Sequence, residues 1–286
     1  MRARERYRPP ASRIVDDPYA HLFLSPAGRA AAEAARLRGP ITRTLERLAP
    51  GVTTFVLCRH RFMDDRLCAA FVGGAEQVVV LGAGYDTRAY RFARELRGRS
   101  VFELDFPATS RRKVDILQRN AARLPPASVM HVEIDFEEDS LAASLAEAGF
   151  AEGARTFVIW EGVAPYLSRA AVRKTIVDLA ELCGRGSELV MDFWHLPDGN
   201  DVMALARRVG AQLIALVGEP VTLALHPDDA AHLLGDAGWT VDDTALAHDL
   251  EARYVRDGRR VEASLYVTAS RRDSGSGRRP RPRRSR

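Results

Sequence analysis

From residue 77 onward, short and continuously apolar runs alternate with longer stretches whose apolar residues recur at helical spacing. Gln77–Leu81 reads QVVVL and has no polar face, which marks a strand buried on both sides. The same pattern predicts strands over Ser100–Asp105, 129–134, Thr156–Trp160 and 187–193. Helices are predicted between them: 86–96 stopped at Gly98, 107–122 with Pro107 in its first turn, 140–148, and 168–182 with Ser168 as its cap. Residues 200–217 and 227–235 read as further helices, and 240–246 and 261–268 as two last strands. Strands alternating with helices imply right-handed βαβ units and a mostly parallel sheet, hence a Rossmann-like α/β fold of seven strands with one antiparallel. With no full helix between them, the last two strands predict a hairpin and an antiparallel edge.

The pattern ahead of residue 77 is different. Residues 1–15 carry alternating arginines and Pro9-Pro10 and read as an extended, flexible N-terminus. Ser25-Pro26 opens a helix over 27–38 that Gly39 closes, and a second helix over 51–71 ends at Gly73-Gly74. These predict a helical cap over 16–74, joined to an α/β core over 75–268 in a single domain. Residues 269–286 read as a disordered basic tail.

That tail changes the meaning of the charge. The chain of 286 residues has a net charge of +4, but residues 271–286 hold eight arginines and one aspartate, so they carry +7 and the rest sums to −3. The body is mildly acidic and offers no nucleic-acid surface beyond a possible non-specific contact by the tail. Cys58, Cys68 and Cys183 form no C-x-x-C pair, so neither a disulfide framework nor a metal site is indicated, and a reducing cytoplasm suits them. The basic N-terminus lacks the apolar stretch of a secretory signal. No apolar run approaches the roughly 18 residues of a membrane span.

Ligands of open α/β sheets bind beyond the carboxyl ends of the strands, so candidate chemistry is sought there. The first strand runs into Gly82-Ala83-Gly84-Tyr85-Asp86, a turn that lets a ligand approach the backbone at a helix start. Thr87 stands where a dinucleotide fingerprint would have its third glycine, and no Lys-Ser/Thr pair of a P-loop follows. Asp105 closes the second strand, 23 residues after Gly82, where an acid can accept ribose hydroxyls or can cap the helix at Pro107. Asp135 and Phe136 follow the third strand and can take an adenine amine and cover its ring; the alternative is a solvated loop acid beside Glu137, Glu138 and Asp139. Glu161 follows the fourth strand and can hold an ammonium or cap a helix. In the second helix Arg59 and Arg61 can reach a carboxylate, or form a solvated face with His60 at the surface.

Together these stretches resemble the leucine carboxyl methyltransferase family, including its bacterial polyketide carboxyl O-methyltransferase branch. The resemblance spans about 16–186. It rests on Q-V-V-V-L-G-A-G-Y-D-T-R-A-Y-R over 77–91, on F-E-L-D-F-P over 102–107 with Arg112-Lys113, and on Glu161 with Tyr166-Leu167. Asp17-Pro18-Tyr19 and Arg59-x-Arg61 also fit. It implies a class I methyltransferase fold with S-adenosylmethionine as the methyl donor. It implies that Arg59 holds the methionine carboxylate and that Gly82, with Gly84 in the same turn, lines the methionine end. Asp105 then takes the ribose, Asp135 with Phe136 the adenine, and Glu161 the methionine amine. Pro165 and the stretch after Asp192 depart from the pattern, which leaves the acceptor open.

An O-methyltransferase acting on a carboxylate or hydroxyl of a small molecule, such as a polyketide-type product of secondary metabolism, is the expected activity. A carboxylate acceptor is ionised at neutral pH and needs no base. A hydroxyl acceptor needs one, for which Tyr166 and His195 are the candidates; His195 otherwise reads as a loop histidine. Arg88 and Arg91 either bind an acceptor carboxylate or are solvated. The alternatives are an NAD(P)-dependent oxidoreductase and a non-catalytic S-adenosylmethionine-binding module.

Overall fold

The computed structural model describes residues 1–34, 51–195 and 222–272. The helix expected over 200–217, the end of the first predicted helix and most of the basic tail lie outside the described residues.

Seven strands form one sheet: β1 (Gln77–Leu81), β2 (Ser100–Asp105), β3 (Val129–Glu133), β4 (Thr156–Trp160), β5 (Glu188–Trp194), β6 (Trp239–Ala245) and β7 (Leu265–Arg272). Their order is β3-β2-β1-β4-β5-β7-β6, with β1 to β5 parallel and β7 antiparallel to both its neighbours. The antiparallel strand is therefore inserted one place in from the edge, and β6 is the edge. It also runs to Arg272, so residues 269–272 belong to the sheet and not to the tail. Ala269 and Ser270 are fully buried opposite Val190 and Leu189, which anchors them despite the basic residues that follow.

The helices among the described residues are α1 (Arg2–Glu5), α2 (Pro26–Ala34), α3 (Val52–Val72), α4 (Arg88–Arg91), α5 (Pro107–Arg119), α6 (Leu141–Glu147), α7 (Arg169–Leu182), α8 (Pro227–Asp236) and α9 (Ala247–Tyr254). Two differ from the periodicity. The helix expected over 86–96 is a single turn, α4, followed by further turns, because the Asp86 side chain accepts the Arg88 N–H and starts the helix late. The predicted hairpin between the last strands contains α9, whose first turn is held by Asp249 accepting the Leu246 N–H.

Alternate residues of β1 bury on opposite faces. Val79 and Leu81 join a core with Val172, Ile176 and Leu179 of α7, while Val78 and Val80 join one with Phe55, Phe62, Met63 and Leu67 of α3. At roughly 1.5–3 kcal/mol per buried large side chain, these four α3 residues contribute on the order of 10 kcal/mol of gross burial. The N-terminal fifteen residues are not extended. They begin with α1, and Ala3, Glu5, Ile14 and Val15 are buried. Glu5 holds them down by accepting the Ile14 N–H and pairing with Arg259.

The sheet grows outward in both directions from the β1/β4 pair, which makes that pair the point where strand order reverses. A crevice beyond the carboxyl ends of those strands is where this topology places a ligand.

Candidate cofactor site

A cavity of about 510 Å³ opens there, and Arg59, Gly82, Gly84, Asp105, Asp135, Phe136 and Glu161 all line it. Side chains separated by up to 102 positions meet there because Arg59 reaches in from α3 while the others follow the parallel strands β1 to β4, which end on one side of the sheet.

The turn after β1 explains its glycines. Gly82 has φ of 61°, a left-handed conformation, and a Cβ on it would lie 2.2 Å from Val163 Cγ2. The Gly84 N–H donates to Asp105 Oδ2, and the Phe106 N–H donates to Oδ1 at 2.7 Å. An ionised carboxylate has about four acceptor positions, so Asp105 retains two for ligand hydroxyls. Burial pushes its carboxyl up, and the two amides oppose that. Asp135 Oδ1 accepts the Glu137 N–H, which ties the loop after β3 into a turn, and Phe136 packs at a tilt against Trp160.

The other end of the cavity is an ion cluster. Glu161 receives Arg59 Nε at 3.2 Å, Arg88 Nη1 at 2.9 Å and the His60 ring at 3.0 Å. It does not cap the short helical turn Ala164–Tyr166, whose N-cap is Val163. Burial would push the Glu161 carboxyl up, but His60, Arg88 and Arg59 outweigh it and hold it well below the usual range. Arg59 Nη1 donates to the buried Asp192 at 2.7 Å. Burial pushes Asp192 up, and Arg59 opposes it.

Three ionisable residues that read as surface have buried side chains here. His60 and Arg88 are each 2% exposed, and Arg91 is 7% exposed in its side chain. Arg88 bonds Asp64 Oδ1 at 2.7 Å as well as Asp86 and Glu161, so it is neither solvated nor available to an acceptor. Arg91 is spent on Asp64, at 2.7 and 2.9 Å. Their opposite charges lie within one α3–α4 contact, which lets them bury as pairs. Arg61, by contrast, faces solvent and pairs with Asp65 four residues on, away from the cavity.

Tyr166 and His195 are not among the residues lining the cavity. Tyr166 ends the turn Ala164–Tyr166, and the His195 ring stands edge-on to His226 with centroids 5.7 Å apart. The wall also includes Arg2, Tyr85, Phe106 and Thr109, which the sequence did not single out. Arg2 was missed because an N-terminal arginine carries no pattern. Asp64 had a signal, its spacing four after His60 on one helix.

Residues 1–180 match the family model described as leucine carboxyl methyltransferase. The chain belongs to the leucine carboxyl methyltransferase family. It is an S-adenosylmethionine-dependent methyltransferase. A relative from Parafrankia sp. strain EAN1pec, described as a candidate enzyme of that activity, is 32% identical over 280 residues, covering 95% of this chain and 84% of its own length. A similarly described relative from Streptomyces coelicolor is 31% identical over 243 residues, covering 83% and 81%. Among solved structures, a DUF574 family protein from Streptomyces avermitilis superposes with a TM-score of 0.63 at 15% identity, covering 95% of this methyltransferase and 96% of that chain. Magnesium protoporphyrin IX methyltransferase from Synechocystis PCC 6803, which holds S-adenosylhomocysteine, superposes with a TM-score of 0.50 at 15% identity, covering 77% and 86%. Both show the fold, and family membership sets the nicotinamide alternative aside.

The residues of this methyltransferase fit its donor. A cationic and an anionic side chain, Arg59 and Glu161, stand together at one end of the cavity, complementary to an amino-acid zwitterion. Asp105, Asp135 and Phe136 supply acceptors and an aromatic ring at strand ends on the other side of the Gly82 turn.

Proposed function

We propose that this methyltransferase holds S-adenosylmethionine in the β1/β4 crevice and methylates a carboxylate of a small molecule, such as a polyketide-type metabolite of the cytoplasm. The convergence of Arg59, Asp105, Asp135, Phe136 and Glu161 on one cavity carries the donor assignment. Asp105 takes the ribose hydroxyls, Asp135 with Phe136 the adenine, Glu161 the ammonium and Arg59 the carboxylate. When bound, S-adenosylmethionine supplies a methyl group already activated by its sulfonium charge, so the transfer is an in-line displacement that depends on alignment.

The cavity's own groups favour a carboxylate acceptor over a hydroxyl. His60 is the histidine of the wall, and both its ring nitrogens are engaged, by Glu161 and by arginines. Asp105 is held by two backbone amides, and Tyr85 is stacked on Phe23. No described lining histidine is therefore free to take a proton from a hydroxyl, whereas an ionised carboxylate needs none removed. The remaining task of the chain is to hold the acceptor in line and keep water out, which oriented binding can accomplish.

The test is to incubate the purified protein with methyl-labelled donor and a panel of aromatic acids, fatty acids and phenols. A carboxylate acceptor gives a methyl ester, whose label is released as volatile methanol by mild base. Base-stable label would refute the carboxylate reading, and label on no member of a broad metabolite extract would refute the small-molecule reading.

A further inference from the structure

We propose that His60 is a positioning residue that holds the Glu161 carboxylate in place through its Nδ1–H, with Arg2 and Arg91 fixing that tautomer from the opposite side of the ring. The inference rests on the reading that Glu161 receives the methionine ammonium.

The partners determine the proton. Nε2 stands 2.8 Å from Arg91 Nη2 and 3.3 Å from Arg2 Nη1, and guanidinium nitrogens only donate, so Nε2 accepts. Nδ1 stands 3.0 and 3.2 Å from the two Glu161 oxygens, and a carboxylate only accepts, so Nδ1 carries the hydrogen. Arg88 Nη2 also faces Nδ1 at 2.9 Å while donating to the His60 carbonyl oxygen at 3.1 Å, but the alternative tautomer would set an Nε2–H against two guanidinium groups, so the proton stays on Nδ1. The ring is thus a neutral bridge between a carboxylate and two cations.

The arginines around it favour this neutral state, and the two carboxylates oppose it. Arg2 comes from α1, Asp64 from α3, Arg88 and Arg91 from α4, and Glu161 from the end of β4. Burial and then Arg88 lower the histidine's pKa, against Glu161 and Asp64. An imidazolium would turn an Nε2–H toward two guanidinium groups. Asp64 Oδ1 is 3.9 Å from Nε2 and is occupied by Arg88 and Arg91, so it does not compete for the ring.

The consequence is specific to one end of the ligand. Glu161 is held by Arg59 and Arg88 from two directions, and the ring contacts both of its oxygens. Removing it frees the carboxylate to swing toward the arginines and away from the ammonium position. The adenosine end, at Asp105, Asp135 and Phe136, is held by other groups and is unaffected.

Calorimetry on the full chain tests this with two probes, S-adenosylmethionine and 5′-methylthioadenosine, which lacks the amino-acid part. His60→Leu is expected to weaken S-adenosylmethionine roughly tenfold, the cost of one buried unmade hydrogen bond, and to leave 5′-methylthioadenosine within about twofold. His60→Asn can donate and accept and is expected to restore most of the loss. Unchanged S-adenosylmethionine affinity in His60→Leu, or equal loss of both probes, overturns the inference. Glu161→Gln separates the two readings. If it weakens S-adenosylmethionine and His60→Leu does not, only the His60 role falls; if Glu161→Gln has no effect, the Glu161 assignment itself falls. Should His60→Leu not fold, imidazole ¹⁵N spectra of the wild-type protein decide: a neutral Nδ1–H tautomer near neutral pH is expected, and an Nε2–H tautomer or an imidazolium overturns the inference.

Discussion

Arg88→Met separates the buried ion cluster from the ligand site it supports. The guanidinium is 2% exposed and bonds three carboxylates, Asp64 at 2.7 Å, Glu161 at 2.9 Å and Asp86. Asp64 keeps Arg91, and Glu161 keeps Arg59 and His60. Asp86 has only Arg88 as an ion-pair partner among the described residues and is itself 7% exposed, so the substitution strands that charge. Breaking a buried pair in this way costs about 3–5 kcal/mol, a large share of the ~5–15 kcal/mol that stabilises a typical domain. Urea denaturation of both proteins measures it. The pH dependence carries the sign. In the wild type, burial acts to raise the Asp86 carboxyl and Arg88 overcomes it, so its pKa lies below the ordinary value. That contribution is complete above about pH 4 and flat beyond it. Without Arg88 the largest charge opposing burial is lost and only His60, Lys113 and Arg2 remain against it, so the carboxyl should rise past its ordinary value and the folded mutant should gain stability as pH falls. The deficit should therefore shrink from about pH 8 to about pH 5. Adding Asp86→Asn should recover part of the loss, since both members of the pair are then gone. A deficit below about 1 kcal/mol at pH 8, or one that does not change toward pH 5, would refute the reasoning.

Asp105→Ala and Glu161→Ala should each weaken S-adenosylmethionine by about 1–3 kcal/mol in calorimetry, and wild-type affinity in both would overturn the site assignment. Gly82→Ala should destabilise the fold by about 1–3 kcal/mol, because its Cβ meets Val163 Cγ2 at 2.2 Å in a left-handed turn; adding Val163→Ala should recover part of that in thermal melts. The wild-type protein should lose stability as pH drops below about 6.5, since His60 is held below its ordinary value and the unfolded chain takes up the proton first. Melts of His60→Asn should show a shallower acid slope in that range, and an unchanged slope would remove His60 as its source.

How far the chain could be read without its fold differs between strands and charges. Gln77–Leu81 and Thr156–Trp160 were legible to the residue because a strand buried on both faces shows as an apolar run, and Ser100–Asp105 was legible as well although Glu103 interrupts its run. Asp105, Asp135, Phe136 and Glu161 were legible because parallel strands all end on one side of a sheet, so each following residue is a candidate for the same crevice. Arg61, His60, Arg88 and Arg91 share one local signature, that of a charged helix. Yet only Arg61 is solvated, while the other three are buried against Asp64, Asp86 and Glu161.

The local sequence thus determined which segments are strands, where the glycine turn falls and which acids stand at strand ends. These follow from side-chain periodicity and backbone sterics within a few residues. Only the tertiary structure decided the insertion of β7 beside β5, the ordering of residues 1–15 that brings Arg2 to the cavity wall, and the pairing of α3 with α4 through buried charges. A charge is buried only where an opposite charge arrives from elsewhere in the chain, and no single segment contains that partner.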